Sequence, residues 1–229
     1  LYYFLLAPAA LLSGADPTAV VGAIALAGIA AVGVTWWLAR SIGGPVAGLV
    51  AGLVMALSAS AIDESTFIWN PNLMALSSAI ALAGAWRAWT ADRARWWLAA
   101  AAGLLVTMQL HVLGIALAPP VAGLWIAAWR RAPAGEARQR LGRAAAAGVG
   151  LLVAGYLPLL AYELGHDFAE SRAAVAFIAS GGAGVSISLP ARLLFVGRRI
   201  LAWPLTGLLT DGLVVGVVAG VVVAAGLAW

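Results

Sequence analysis

The residues able to do chemistry sit in short polar stretches at the edges of apolar runs. The first is Asp63-Glu64-Ser65-Thr66-Phe67-Ile68-Trp69-Asn70-Pro71-Asn72. Two adjacent carboxylates beside lipid are costly unless they meet water or a partner. Such a pair can bind a cation or orient a sugar hydroxyl. Asn70 precedes Pro71 and is pushed out of the helical region, and Asn72 is placed to cap the next helix. The plainer reading is a solvated loop that ends in an ordinary cap. The second stretch holds Gln109 and His111, either a ligand or proton carrier in a cavity, or a histidine hydrogen-bonded at a helix end. The third is Tyr162-Glu163-Leu164-Gly165-His166-Asp167-Phe168, followed by Glu170 and Arg172. On a continuing helix Glu163 and His166 share a face, so they suit one metal ion or a phosphate-bearing head group. The plainer reading is a polar helix end entering a loop. The fourth set is Arg172, Arg192, Arg198 and Arg199. Guanidinium forks match phosphate, although arginines at a membrane boundary also simply reach for water.

The elements that must position these groups are apolar helices. Hydrophobic residues make up 64% of the 229 residues and charged ones 10%, against about 25% in soluble domains. All thirteen basic residues are Arg, and there is no Cys, which excludes disulfides and thiolate metal sites. Most of the Arg lie between apolar runs, so the basic balance does not point to a nucleic-acid partner. The runs are Leu1–Leu12, Pro17–Ala39, Pro45–Ile62, Leu73–Trp89, Trp96–His111, Val112–Trp129, Ala144–Leu164 and Gly212–Trp229. They are rich in Ala, Leu and Gly and lack period-two alternation, which disfavours strands. The expected fold is all-α: a polytopic transmembrane helical bundle of about 7–8 membrane segments. The two runs flanking His111 are short and are expected to form a tilted or re-entrant pair. Residues 168–210 are expected to be outer-face interfacial helices and loop within a single domain, 1–229. Both termini fall inside apolar runs, so the chain is read as a piece of a longer protein. Small residues recur at Gly44, Gly48, Gly52 and Ala56, and at Gly212, Gly216, Gly220 and Ala224, where they would allow close helix approach rather than chemistry.

Charge placement gives the runs a direction. Arg40, then Arg87, Arg93 and Arg95, then Arg130, Arg131, Arg138, Arg140 and Arg143 follow alternate runs. The turns between carry Asp16, Asp63 and Glu64, and then Glu163, Asp167 and Glu170. Arginine-rich loops stay in the cytoplasm, so the acidic turns are expected outside.

Leu1-Tyr2-Tyr3-Phe4-Leu5-Leu6, then Ala39-Arg40-Ser41-Ile42-Gly43-Gly44-Pro45 entering a small-residue helix, resembles the start of GT-C membrane glycosyltransferases. The nearest branch is the protein O-mannosyltransferase-like and aminoarabinose-transferase-like family (glycosyltransferase family 39). Trp69-Asn70-Pro71-Asn72, Leu157-Pro158-Leu159-Leu160-Ala161-Tyr162-Glu163-Leu164, Gly165-His166-Asp167-Phe168 and Arg172 also resemble elements of that family, the later ones of its bacterial members. The resemblance implies a GT-C-like bundle in the bacterial plasma membrane with its site facing outside. It implies a polyprenyl-phosphate-linked sugar as donor and a lipid, glycan or protein as acceptor. The lack of nucleotide-binding motifs agrees with such a donor. The implied reaction is an inverting displacement, in which a carboxylate takes the acceptor proton and cations hold the leaving phosphate. The family's catalytic Asp would lie upstream of Leu1, so the piece alone is expected to be inactive and no base is assigned within it. Asp63 and Glu64 match the acidic positions of the family's next outer loop, where they support donor or metal binding. Asn70 stands where other members carry Asp, so it is not assigned acid or base work. Glu64 with His111 or His166 is the implied pair for a divalent metal. The expected substrate-binding set is Asp63, Glu64, Asn70, Asn72, Gln109, His111, Glu163, His166 and Arg172. The alternatives are a multi-pass transporter or lipid flippase, and a non-catalytic membrane assembly subunit.

The chain lacks Cys, so single cysteines report topology directly. A membrane-impermeant thiol reagent added outside should label Ser65→Cys and Gly165→Cys but not Gly135→Cys. Outside labelling at Gly135 would reverse the orientation.

Overall fold

The computed structural model describes residues 2–91, 93–180, 188–198, 207 and 212–228. All regular structure among them is helical. The chain runs α1 (Tyr2–Leu12), α2 (Pro17–Ala56), α3 (Ala59–Asp63), a 3-10 turn (Asn70–Leu73), α4 (Met74–Ala91) and α5 (Arg95–Leu110). A second 3-10 turn (Val112–Leu117), α6 (Ala118–Arg131), α7 (Glu136–Gly165), α8 (Ala169–Ala179), α9 (Leu189–Gly197) and α10 (Leu213–Ala228) follow. Three helical stretches are long and apolar enough to cross a membrane: Pro17–Ala56, Val112–Arg131 and Glu136–Gly165. Of the fourth arginine set, Arg199 lies outside the described residues, as do much of the 168–210 segment and the side chain of Ala224.

Helix α2 opens on Pro17, whose fixed φ suits a first turn, behind Asp16, whose side chain accepts from the Thr18 N–H at 2.9 Å. It is two arms rather than one rod. Gly44 has φ 84° and ψ −174°, open to glycine and disfavoured for a residue with a Cβ, and Pro45 follows with no N–H to give. The arms 17–43 and 45–56 therefore fold against one another. A Cβ on Gly48 would meet the Arg40 Cβ at 2.6 Å and the Trp36 carbonyl oxygen at 2.9 Å, and one on Gly52 the Trp36 Cβ at 3.2 Å. This corrects the even-spaced reading of the first small-residue set: Gly48 and Gly52 are packing positions, while Gly44 is the turn. At about 1.5 Å per residue the first arm alone is about 40 Å long, enough for a bilayer.

The centre of the molecule is the α4–α5 hairpin, whose backbones touch. A Cβ on Gly103 would lie 2.6 Å from the Ala81 nitrogen and 2.7 Å from the Ser77 carbonyl oxygen. One on Gly84 would lie 2.7 Å from the Ala100 nitrogen. One turn beyond the Gly103 contact Thr107 donates to Ser77 Oγ at 2.8 Å, with Thr107 fully buried. Helix α7 lies beside α5, with Gly148 against Ala101 and Gly155 against Leu105. His111 breaks α5 with extended φ and ψ, and the Val112–Leu117 turn folds back so that Gly114 sits on the Thr107 carbonyl. The chain thus turns at His111, and α6 packs on α4.

Two apolar clusters cap this hairpin. Tyr2, Leu6, Val20, Ile24 and Leu110 close one end. Ala85, Ala88, Trp97, Ala100, Leu141 and Ala144 close the other. The second end carries the arginines, and they interlock with tryptophans across the turns. Arg87 lies over Trp37, Arg131 over Trp89 and Arg138 over Trp129, at 6.0, 4.5 and 6.0 Å from the ring centroids. The arginine-bearing turns therefore gather at one end, away from Asn72 and His111.

Filling the backbone contact should loosen the hairpin. Gly103→Val is expected to cost about 1–3 kcal/mol in reversible detergent unfolding, as overpacked sites do. Gly123→Ala, with nothing within 4 Å of its Cβ, should match wild type or exceed it slightly. Equal unfolding of the two variants would show that the close approach does not matter.

Candidate functional site

Asn72 organises the loop between α3 and α4. It is buried, and both its amide oxygen and its amide nitrogen are engaged. Its Oδ1 accepts from the Trp69 N–H at 2.5 Å and from the Tyr2 hydroxyl at 3.3 Å, while its Nδ2 donates to the Glu64 carbonyl. The sequence suggests a forward cap on α4; the side chain instead reaches backward, because the Asn70–Leu73 turn points it into the loop. The loop is thereby held to α1 at one point and to itself at two. Ser65 and Thr66 add side-chain bonds to the Ile62 and Asp63 carbonyls at 2.7 and 2.8 Å. Asp63 and Asn70 are left exposed, and Glu64 is half-buried.

The loop roofs a cavity of about 320 Å³ bounded by Ile24 and Gly28 of α2, Met55, Ser58, Glu64 and Asn72. Ser58 forms part of its polar wall and also caps α3 through the Ala61 N–H at 3.4 Å. On the neighbouring faces of the same two helices lies a second cavity of about 370 Å³, almost wholly apolar. Ala23 and Ala27 border the apolar cavity where Ile24 and Gly28 border the polar one, and Leu73 and Leu76 alternate likewise with Met74 and Ala75. Successive residues of α2 and α4 thus divide a polar recess from a greasy one.

The remaining expected residues are tied into the structure. Gln109 donates from Nε2 to the Gly155 carbonyl at 2.7 Å, joining α5 to α7. His111 Nδ1 accepts from the Leu113 N–H at 3.1 Å, so the imidazole caps the turn that follows it. Glu163 is buried, and its two carboxylate oxygens accept from the Glu170 and Ser171 N–H groups at 3.2 Å each. Those amides open α8, where the helix dipole favours an anion. His166 turns away from that carboxylate: its ring stacks on Tyr162 with centroids 4.0 Å apart, and Nδ1 lies 2.8 Å from the Tyr162 carbonyl. The spacing of Glu163 and His166 therefore serves a helix junction rather than a shared ion. Arg172 is exposed on α8.

The expected residues fall into two groups. Asp63, Glu64, Asn70 and Asn72 form the loop, at the same end as Gln109 and His111. Glu163, His166 and Arg172 form the α7–α8 junction, which stands further out: Gly155, level with Gln109, and His166 are about 16 Å apart along α7. Among the described residues no group of three or more His, Asp or Glu converges as a metal site. The Glu64–His111 and Glu64–His166 pairs therefore lack a ligand set, and no step is derived through a metal. Sequence reasoning missed Tyr2, Ser58 and the Ser77–Thr107 pair, because isolated hydroxyls in apolar helices carry no spacing signal.

Removing the Asn72 amide should free the loop. Asn72→Ala leaves the Trp69 N–H and the Glu64 carbonyl without their partner, a loss of about 1–3 kcal/mol. Hydrogen exchange at the Trp69 amide should then speed up at least about tenfold. Unchanged exchange would mean that the loop holds without it. No family model, curated protein or solved structure matches the chain.

Proposed function

We propose that the chain is part of a multi-pass GT-C-type membrane glycosyltransferase of the bacterial plasma membrane, transferring a sugar from a polyprenyl-phosphate donor to a lipid, glycan or protein acceptor on the outer face. In this reading α1, α4, α5 and α10 add membrane segments to the three long ones, making about seven or eight. The arginine end lies in the cytoplasm, and the Asn72 loop faces outward.

The observation that carries the reading is the pair of cavities on adjoining faces of α2 and α4. A prenyl-linked sugar has a greasy chain joined to a polar head. The apolar cavity lined by Leu5, Leu6, Ala27, Leu76, Ile80 and Val106 suits part of the chain. The recess lined by Ser58, Glu64 and Asn72 suits hydroxyl groups. Glu64 accepts hydrogen bonds from the sugar, and the neighbouring Asp63, which is exposed, meets the acceptor side. The chemistry is displacement at the anomeric carbon with proton transfer to a carboxylate and the phosphate as leaving group. The chain's own contribution is to bind and orient the donor.

The test is transfer from a polyprenyl-phosphate sugar by the full-length protein in membranes. Losing one hydrogen bond to a charged group should lower turnover about ten- to hundredfold in Glu64→Gln, and less in Asp63→Asn. Wild-type turnover in both variants would remove the loop from the site.

A further inference from the structure

The arginine end has a cavity of its own. About 220 Å³ in volume, it is lined by Trp89 from the end of α4, Ala128 and Arg131 from α6, Ala132 and Pro133 from the connecting turn, and Ala137 from α7. The Arg131 guanidinium lies over the Trp89 ring at 4.5 Å, the closest of the arginine–tryptophan contacts described here. Arg138 is fixed beside it: its Nε donates to the carbonyl of the wall residue Ala132 at 3.2 Å, and its guanidinium covers Trp129. Stacking, and for Arg138 the Nε bond, holds each fork in place and leaves its terminal N–H groups to face a ligand.

This region has many donors and few acceptors. The turns on this side of the sequence carry nine Arg against Asp92 and Glu136, and Glu136 is engaged with Arg140 at 3.9 Å. Four indole N–H groups here, on Trp89, Trp96, Trp97 and Trp125, are buried with no acceptor among the described residues. Trp89 is itself a wall of the cavity. The donors that a tetrahedral oxyanion would meet at this cleft are the two fixed guanidinium groups.

We propose that the cleft between α4, α6 and α7 binds the phosphate of an anionic phospholipid, with Arg131 and Arg138 as the charged partners and Trp89 as the platform. A lipid rather than a soluble phosphate is indicated by position. The cleft lies where the membrane-length stretch Val112–Arg131 ends and Glu136–Gly165 begins, in a layer of tryptophans of the kind that sits at the head-group level. Basic pockets between helices on the cytoplasmic side are suited to anionic head groups. This inference does not rest on the transferase reading.

The test is native mass spectrometry of the purified full chain in detergent, titrated with dioleoyl phosphatidylglycerol or dioleoyl phosphatidylcholine. Wild type should retain phosphatidylglycerol about tenfold more tightly than the zwitterionic lipid. Arg131→Gln and Arg138→Gln should each weaken that binding about five- to tenfold, and Arg131→Lys, which keeps the charge but loses the fork, should fall between. The double variant Arg40→Gln/Arg143→Gln removes two charges from the same end, one more than either single variant, and should stay within about twofold of wild type. Both cavity arginines are exposed, so these variants should keep the wild-type circular dichroism. Equal loss in the Arg40/Arg143 variant would reduce the effect to diffuse charge and overturn the site. No loss in the Arg131 and Arg138 variants would do the same. Displacement of the lipid by an equal concentration of glycerol phosphate would show a soluble phosphate ligand and overturn the lipid assignment.

Discussion

The helices from α1 to α7 are built around the backbone contact between α4 and α5. In lipid there is little hydrophobic force to press helices together, so association depends on close packing and on hydrogen bonds between them. Gly84 and Gly103 let the two backbones meet, and the buried Thr107–Ser77 bond ties them together just beyond the Gly103 contact. Once this hairpin is set, α2 packs along α4 and α7 along α5. The loop entering α4 and the break leaving α5 then emerge at the same end. The positions of Asn72, Gln109 and His111 are consequences of that one contact.

The same contact separates two kinds of polarity. One end is cationic and aromatic, with guanidinium groups laid over indole rings at the hairpin tips. The other end has carboxylates, amides and hydroxyls around a recess. Separating the two keeps carboxylates and guanidinium groups from cancelling one another. It also leaves the arginine end with indole N–H groups that meet no acceptor among the described residues. The recess at the loop end suits hydroxyls, and the cleft at the arginine end suits an oxyanion.

The sequence showed the helical class, the break between the runs 17–39 and 45–62 and the gathering of arginines, because hydropathy and charge act locally; it set Gly44 in a helical stripe, whereas the chain turns there. It also marked the Asp63–Asn72 stretch as special. It did not show what Asn72 does, since the side chain's partners, Tyr2 and Glu64, come together only in three dimensions. Glu163 and His166 were legible as a helical pair three residues apart. Asp167 and Phe168 then turn the chain through left-handed backbone that non-glycine residues seldom adopt, with φ 52° and 57°, and this brings the α8 amides onto Glu163. No spacing rule anticipates that turn. His111 likewise looked like a ligand by type and is a cap by geometry.

The Asn72 loop and the arginine turns lie at opposite ends of one helical bundle. Spin labels on Ser65→Cys with Gly135→Cys, compared with Ser65→Cys with Asp16→Cys, measure this in reconstituted membranes by pulsed electron spin resonance. The account predicts a separation of about 30 Å or more for the first pair, on the scale of the hydrocarbon core, and a clearly shorter one for the second. Comparable distances for the two pairs would contradict it.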